Sequence, residues 1–176
     1  ELSFIGCRLR SFGQLIGNLR RVTHLSTHGS SGITDDDLQQ LPTMLESIDM
    51  TENFGLTARA IGFCAGCLSL RSLVVKRCSN ITDGGLLLLA AHPALETLNL
   101  LGTRRVSAIA LHRLCSTLTQ LKELVHESVI LSNVRVERAD DEDTALQRLS
   151  VTTKSLSDER EALAVTFGSS SPVRSR

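Results

Sequence analysis

Apolar residues along this chain come in pairs two apart, followed by a sparser series, and the whole pattern returns at a nearly constant interval. When "LRSLVVKRCSNITDGGLLLLAAHPA" from Leu70 is aligned with "LETLNLLGTRRVSAIALHRLCSTLTQ" from Leu95, Leu73, Val75, Cys78, Ile81, Leu86 and Leu89 each stand 25 residues before Leu98, Leu100, Thr103, Val106, Leu111 and Leu114. The preceding stretch, "LESIDMTENFGLTARAIGFC", puts Ile48, Met50, Asn53, Leu56, Ile61 and Cys64 in the same places. The register extends back to Val22 and His24 and to Leu2 and Phe4, and forward to Leu124 and His126 and to Leu149 and Val151. Units therefore begin at 2, 22, 48, 73, 98, 124 and 149. The spacing of two predicts a short strand with Leu98 and Leu100 inward and Asn99 and Leu101 on the opposite face. The apolar residues five and eight positions after Ile81 or Val106 predict a helix that follows it.

Between strand and helix the chain must turn, and Cys7, Thr27, Asn53, Cys78 and Thr103 occupy that place in successive units. Small side chains there can satisfy backbone groups that the turn leaves unpaired. In "CSNITDGGL" the cysteine is thus expected to be a packed structural thiol, and the Thr82-Asp83 pair, like Thr34-Asp35, to supply oxygens to amides at a helix start.

Each unit reads L-x-x-L-x-L-x-x-C/N/T-x-x-I-T/S-D/A. This resembles the leucine-rich repeat, specifically the cysteine-containing subfamily found in F-box/leucine-rich-repeat proteins, over roughly residues 1 to 165. The resemblance implies an α/β solenoid, a curved horseshoe segment of about seven units, with a parallel sheet on the concave face and helices on the convex face. Residues 1–167 would form the repeat domain, with 155–167 as a C-terminal cap, and 168–176 a disordered tail. Two departures stand out: the first unit is short, and the sixth runs "VILSNVRVERADDEDTA", whose alternating Val134 and Val136 suggest extended chain. The acidic run Asp140 to Asp143 reads as a solvated loop.

Composition narrows the function classes. The chain has 41% hydrophobic residues, 19 basic and 19 acidic side chains, and no apolar run approaching the ~20 residues that cross a bilayer. Zero net charge, no Trp, no Tyr and only five Phe argue against nucleic acid as a partner, except indirectly within a larger assembly. The core must be aliphatic. The opening at Glu1, without Met, reads as a segment of a longer or processed protein.

Candidate chemistry is sparse. "CAGC" at Cys64 and Cys67 falls near a helix C-terminus, with Cys64 in the inward column of Leu89 and Leu114, where neither a redox pair nor half of a zinc site is favoured. His24 and His126 are expected in one inward column, four strands or roughly 19 Å apart, too far to share a metal. "TDDDL" at Thr34 to Leu38 sits where acids favour a helix dipole. The reading is therefore of a protein that is not an enzyme and needs no cofactor, metal or small-molecule substrate. Cysteines spread over separate layers suggest an intracellular, reducing compartment.

What remains is the outward face of the strands. Its columns run Ser3, Thr23, Asp49, Val74, Asn99, Val125, Ser150 and, beside them, Ile5, Leu25, Thr51, Lys76, Leu101, Glu127, Thr152. Asp49, Glu52 and Glu127 flank a basic centre of Lys76 and Arg77, with Arg104 and Arg105 on the adjoining turn. With Val74, Asn99 and Leu101 these form the candidate protein-binding strip, whose mixed character suits a protein surface better than a small molecule. Two functions fit it: a non-catalytic scaffold or subunit of a multiprotein assembly, or, as the resemblance implies, the substrate-recognition segment of an F-box-type ubiquitin ligase whose F-box would lie upstream of residue 1.

Overall fold

In a computed structural model the described residues are 1–126 and 129–132. All belong to the first of two units, Glu1–Arg138; the second, Ala139–Arg176, lies outside them. The expected unit at 149, the cap at 155–167, the tail at 168–176 and the acidic run all fall outside the described residues, as do Glu127 and Val134 to Val136.

Seven short strands form one sheet in chain order: β1 (Leu2–Ser3), β2 (His24–Ser26), β3 (Ser47–Asp49), β4 (Ser72–Val74), β5 (Thr97–Asn99), β6 (Glu123–His126) and β7 (Val129–Ser132). The first six are mutually parallel. Parallel neighbours need a long crossover, and here five crossovers carry the helical elements. These are α1 (Phe12–Gly17), a 3₁₀ segment (Asp35–Gln40), α2 (Ala58–Ala65), α3 (Asp83–Leu86) continued by a 3₁₀ turn (Leu87–Leu89), and α4 (Ala108–Thr117). The molecule is α/β, an arrangement compatible with a solenoid. β7 departs from the repeating pattern by pairing antiparallel to β6, with Leu124 opposite Leu131.

The register settles which residues form the core. Leu2, Leu25, Ile48, Leu73, Leu98 and Leu124 lie side by side across the parallel strands. The second strand is thus centred on Leu25, which is buried, and the expected start at Val22 is wrong by three residues. Three corrections follow. His24, expected inward, is exposed, its Nδ1 2.9 Å from Thr23 Oγ1. Leu25, expected on the outward face, belongs to the core, and Ser26 takes the place given to Thr23, beside Ser3 and Asp49. Thr27, expected at the turn, is instead the second inward residue of its layer, just past β2, and Ser30 stands at the turn. The physical reason is that "VTHLST" offers Val22/His24 and Leu25/Thr27 as alternative pairs, and Leu25 is the better core residue.

Two residues on from the core column, Thr27, Met50, Val75, Leu100 and His126 are also buried. Ile33, Leu56, Ile81 and Val106 close the next layer, and Leu38, Ile61, Leu86 and Leu111 bring in the helical side. Each fully buried aliphatic side chain contributes about 1.5–3 kcal/mol of transfer free energy, so this continuous stack is the main stabilising term.

Polar groups stitch one layer to the next. Ser30 Oγ donates to the carbonyl of Phe4 (2.8 Å), Asn53 Nδ2 to that of Thr27 (2.9 Å) and Cys78 Sγ to that of Met50 (3.1 Å). In each case the turn side chain satisfies an inward strand residue of the preceding layer. Thr103 departs from this by donating to Leu100 in its own layer (2.6 Å). The presence of Cys78 is thereby explained: its thiol is the donor, fully buried, in a rung filled elsewhere by a hydroxyl or an amide.

The acids at the helix starts also bridge layers, which corrects their expected role. Asp35 accepts from the Thr57 amide (2.8 Å) and hydroxyl (2.5 Å), and Asp83 accepts from the Ser107 amide and hydroxyl (2.7 Å each). Neither serves its own helix; each fixes the residue that opens the next. In "TDDDL", Asp36 pairs with Arg59 (2.8 Å) and Asp37 accepts from Gly13 and from the Thr34 amide and hydroxyl. Partial burial works to raise the Asp37 pKa, but those hydrogen bonds together outweigh it and hold the carboxyl below its ordinary value.

Candidate functional site

The candidate strip begins where the strands end. Thr27 to Ser30, Met50 to Asn53, Val75 to Cys78 and Leu100 to Thr103 are each closed by a hydrogen bond from the fourth residue's amide to the first residue's carbonyl, 3.0–3.3 Å long. The third residue of each turn, Gly29, Glu52, Arg77 and Gly102, has φ between 57° and 85°, and Gly6 takes the same conformation in the first layer. This is the turn that asks for glycine at its third position. Its amide remains in the ladder: Gly6, Gly29, Glu52 and Arg77 donate to the carbonyls of His28, Thr51, Lys76 and Leu101. Of the second residues of the turns, His28, Lys76 and Leu101 are exposed or half-buried beside the column of Ser26, Asp49, Val74, Asn99 and Val125, whereas Thr51, expected outward with them, is buried with its hydroxyl turned onto Asp49.

Two of these positions break the glycine rule, and they are neighbours. Glu52 and Arg77 are left-handed, and the Arg77 guanidinium lies 2.6 Å from the Glu52 carboxylate across the layer boundary. The Arg77 side chain is 70% exposed, so the pair contributes at most about 1 kcal/mol. A left-handed residue other than glycine costs about 1 kcal/mol or more. With two such residues and one exposed pair, the ion pair does not offset the backbone cost. Gly102 accommodates Arg77: a Cβ there would sit 2.8 Å from Arg77 Cγ, so the arginine stem lies on the bare glycine of the next layer.

The other expected site residues divide by what they already do. Asp49 and Asn99, both half-buried, accept from the amides two residues on, Thr51 (2.9 Å) and Leu101 (3.2 Å), and Asp49 also accepts the Thr51 hydroxyl (2.6 Å). Their oxygens are engaged in supporting the strip. Val74 is half-buried between them. Lys76 is half-buried, Arg104 and Arg105 are exposed, and none of the three forms an ion pair among the described residues. Leu101, 44% exposed, projects beside Lys76 and just before the two arginines. The structure thus brings Lys76, Arg77, Leu101 and Glu52 together at consecutive turns, with Arg104 and Arg105 on the next turn.

On the opposite flank of the strands, Glu96 accepts both Arg71 (2.5 Å) and Lys122 (2.6 Å). Hydrogen bonds from Lys122 and then Arg71 hold its carboxyl below the ordinary value. Among the described residues positive charge is satisfied there and unsatisfied around Leu101, an asymmetry that composition could not reveal. The left-handed positions were likewise missed, although Gly6 and Gly102 aligned with Glu52 and Arg77 gave the signal.

Cysteine and histidine lie apart from this strip. Cys64 and Cys67 are buried, and burial raises both thiols, with Cys67 adding to the rise at Cys64. Burial also pushes Cys78 and Cys115 up to about 11; only Cys7 is exposed. His92 is buried, donating through Nε2 to the Cys67 carbonyl (3.1 Å) and accepting at Nδ1 from Ala94 (3.3 Å), which fixes the neutral ring with its proton on Nε2. Among the described residues no group of three or more His, Cys, Asp and Glu is placed to hold a metal ion, and no helix is long and apolar enough to cross a membrane. A comparison with protein-family models matches none of them to this chain, and a comparison with curated proteins finds none of significant similarity.

Proposed function

We propose that the chain is a non-catalytic protein-interaction module of the leucine-rich-repeat type, binding through the outward face of its strands within a multiprotein assembly. The observation that carries this reading is the strip itself. Parallel strands in sequence order, turned by one recurring motif, display an exposed Leu101 beside Lys76, Arg104 and Arg105, which have no acid partner among the described residues, while the acids and amides around them are engaged in support. An apolar side chain rimmed by charge on a rigid sheet is the composition of a protein interface. The seven-unit count and the curvature that would make this face concave belong to the same proposal.

The test is binding by folded surface variants. A Lys76→Glu, Arg77→Glu double variant and a Leu101→Asp variant should retain the native circular dichroism spectrum and lose a purified partner. Ile109→Asp, on the exposed side of α4, should bind as the parent does. Folded strip variants that keep full affinity while Ile109→Asp loses it would overturn the reading.

A further inference from the structure

Resting on that protein-binding reading, we infer that the partner presents an acidic segment with an apolar anchor, and that Glu52 is a stand-in carboxylate which this segment displaces from Arg77. Three observations meet at one place. The first is the backbone: five successive turns share one left-handed position, three of them fill it with glycine, and the two that do not are adjacent and carry opposite charges. Strain of this kind is retained where a side chain must be displayed at that point, and glycine would relieve it at both positions without changing the turn. The second is the balance of charge. The Glu52 carboxylate already lies 2.6 Å from Arg77, while Lys76, Arg104 and Arg105 have no acid partner among the described residues. Among the described residues the uncompensated charge around Leu101 is therefore positive. The third is Gly102, whose missing Cβ leaves room for the Arg77 stem and lets the arginine lie across the layer that carries Leu101.

Together these describe, among the described residues, a row of cations around an exposed leucine, with one cation paired to an internal acid. Guanidinium and carboxylate pair in a defined planar geometry, so the guanidinium that holds Glu52 can hold an external carboxylate in its place. Protein is favoured over nucleic acid because Leu101 and Val74 offer apolar contact while no aromatic ring stands in the strip for stacking.

The experiment measures anisotropy of fluorescein-labelled synthetic peptides on the full chain: a ten-residue alternating Glu/Leu peptide, its Gln/Leu analogue, and a uridine 20-mer RNA as the competing class. The Glu/Leu peptide should bind, and binding should weaken on raising salt from about 50 to about 300 mM, as expected for exposed charges. The Gln/Leu analogue should bind at least about ten-fold more weakly. Lys76→Glu combined with Arg104→Glu and Arg105→Glu should cost more than about ten-fold. Glu52→Gln should tighten binding by about three-fold, because the displaced competitor is gone. Arg77→Gly should weaken binding by a similar factor while leaving the thermal midpoint unchanged or raised, a combination that a purely structural arginine would not give. Equal binding of the two peptides, weaker binding by Glu52→Gln, or preference for the RNA would each overturn the inference. If the acidic peptide fails while a purified partner still depends on Leu101, the inference falls and the protein-binding reading stands; if that dependence fails as well, both fall.

Discussion

Gly84 and Gly85 are adjacent, share the first turn of α3 and carry no special backbone angle, yet alanine should act on them in opposite directions. A Cβ built on Gly84 meets nothing within 4 Å. Alanine is the better helix former by up to about 1 kcal/mol in a helix interior and less in a first turn, so Gly84→Ala should stabilise by about 0.5 kcal/mol. A Cβ on Gly85 would lie 2.9 Å from the Ala58 Cα and 3.0 Å from its Cβ. The obstruction includes backbone, so relief requires α2 and α3 to separate, and the buried Ile61 and Leu86 move with them. Overpacking of this kind costs about 1–3 kcal/mol, which exceeds the helix gain and leaves Gly85→Ala destabilised by about 1–2 kcal/mol. Urea unfolding followed by far-ultraviolet circular dichroism compares the two variants with the parent through their midpoints. Equal shifts of the same sign would refute the helix-to-helix contact at Gly85, since propensity alone cannot distinguish the two positions.

Cys7 should react with a thiol reagent in the native state within the time of mixing, whereas Cys64 and Cys78 should react only after denaturation, as followed by mass spectrometry of labelled peptides; fast native labelling of Cys78 would remove the thiol from its rung. The His92 pKa is lowered by burial, against the rise given by its bond to the Cys67 carbonyl, so the unfolded chain takes up this proton before the folded one does. Its contribution is whole above about pH 6.5, the unfolded value, and declines as pH falls through that value toward the folded one. His92→Gln should flatten that part of the stability profile between pH 7 and 5 in urea titrations, and an unchanged slope would contradict the buried neutral ring.

How far the sequence predicts the molecule depends on how unambiguous each pattern is. From Ile48 to His126 the expected inward columns coincide with the buried ones, because Leu73 and Leu98 sit in stretches where only one register places aliphatic residues inside. In "VTHLST" two registers compete, and the cross-strand pairing of Leu25 with Leu2 and Ile48, a non-local term, decides between them. The inter-layer rungs were legible as small polar residues but not in their direction, since nothing local says that Asp35 serves Thr57 instead of its own helix. The candidate strip was legible as a list of residues and not as a charge balance. Asp49 and Asn99 are engaged by amides two residues away, and Glu52 meets Arg77 only through a left-handed turn whose signal was glycine in the neighbouring layers. The antiparallel β7 had no counterpart in the repeat and could not be read from it.

The central claim is that binding occurs on the outward face of the strands, and site-specific photo-crosslinking tests it most directly. A photoreactive residue placed in turn at Val74, Lys76 and Leu101, and at Leu88 and Ile109 on the helical side, should yield a covalent adduct with one defined partner from the first three positions and none from the last two. Adducts formed only from Leu88 and Ile109 would contradict the account and move the interface to the helices.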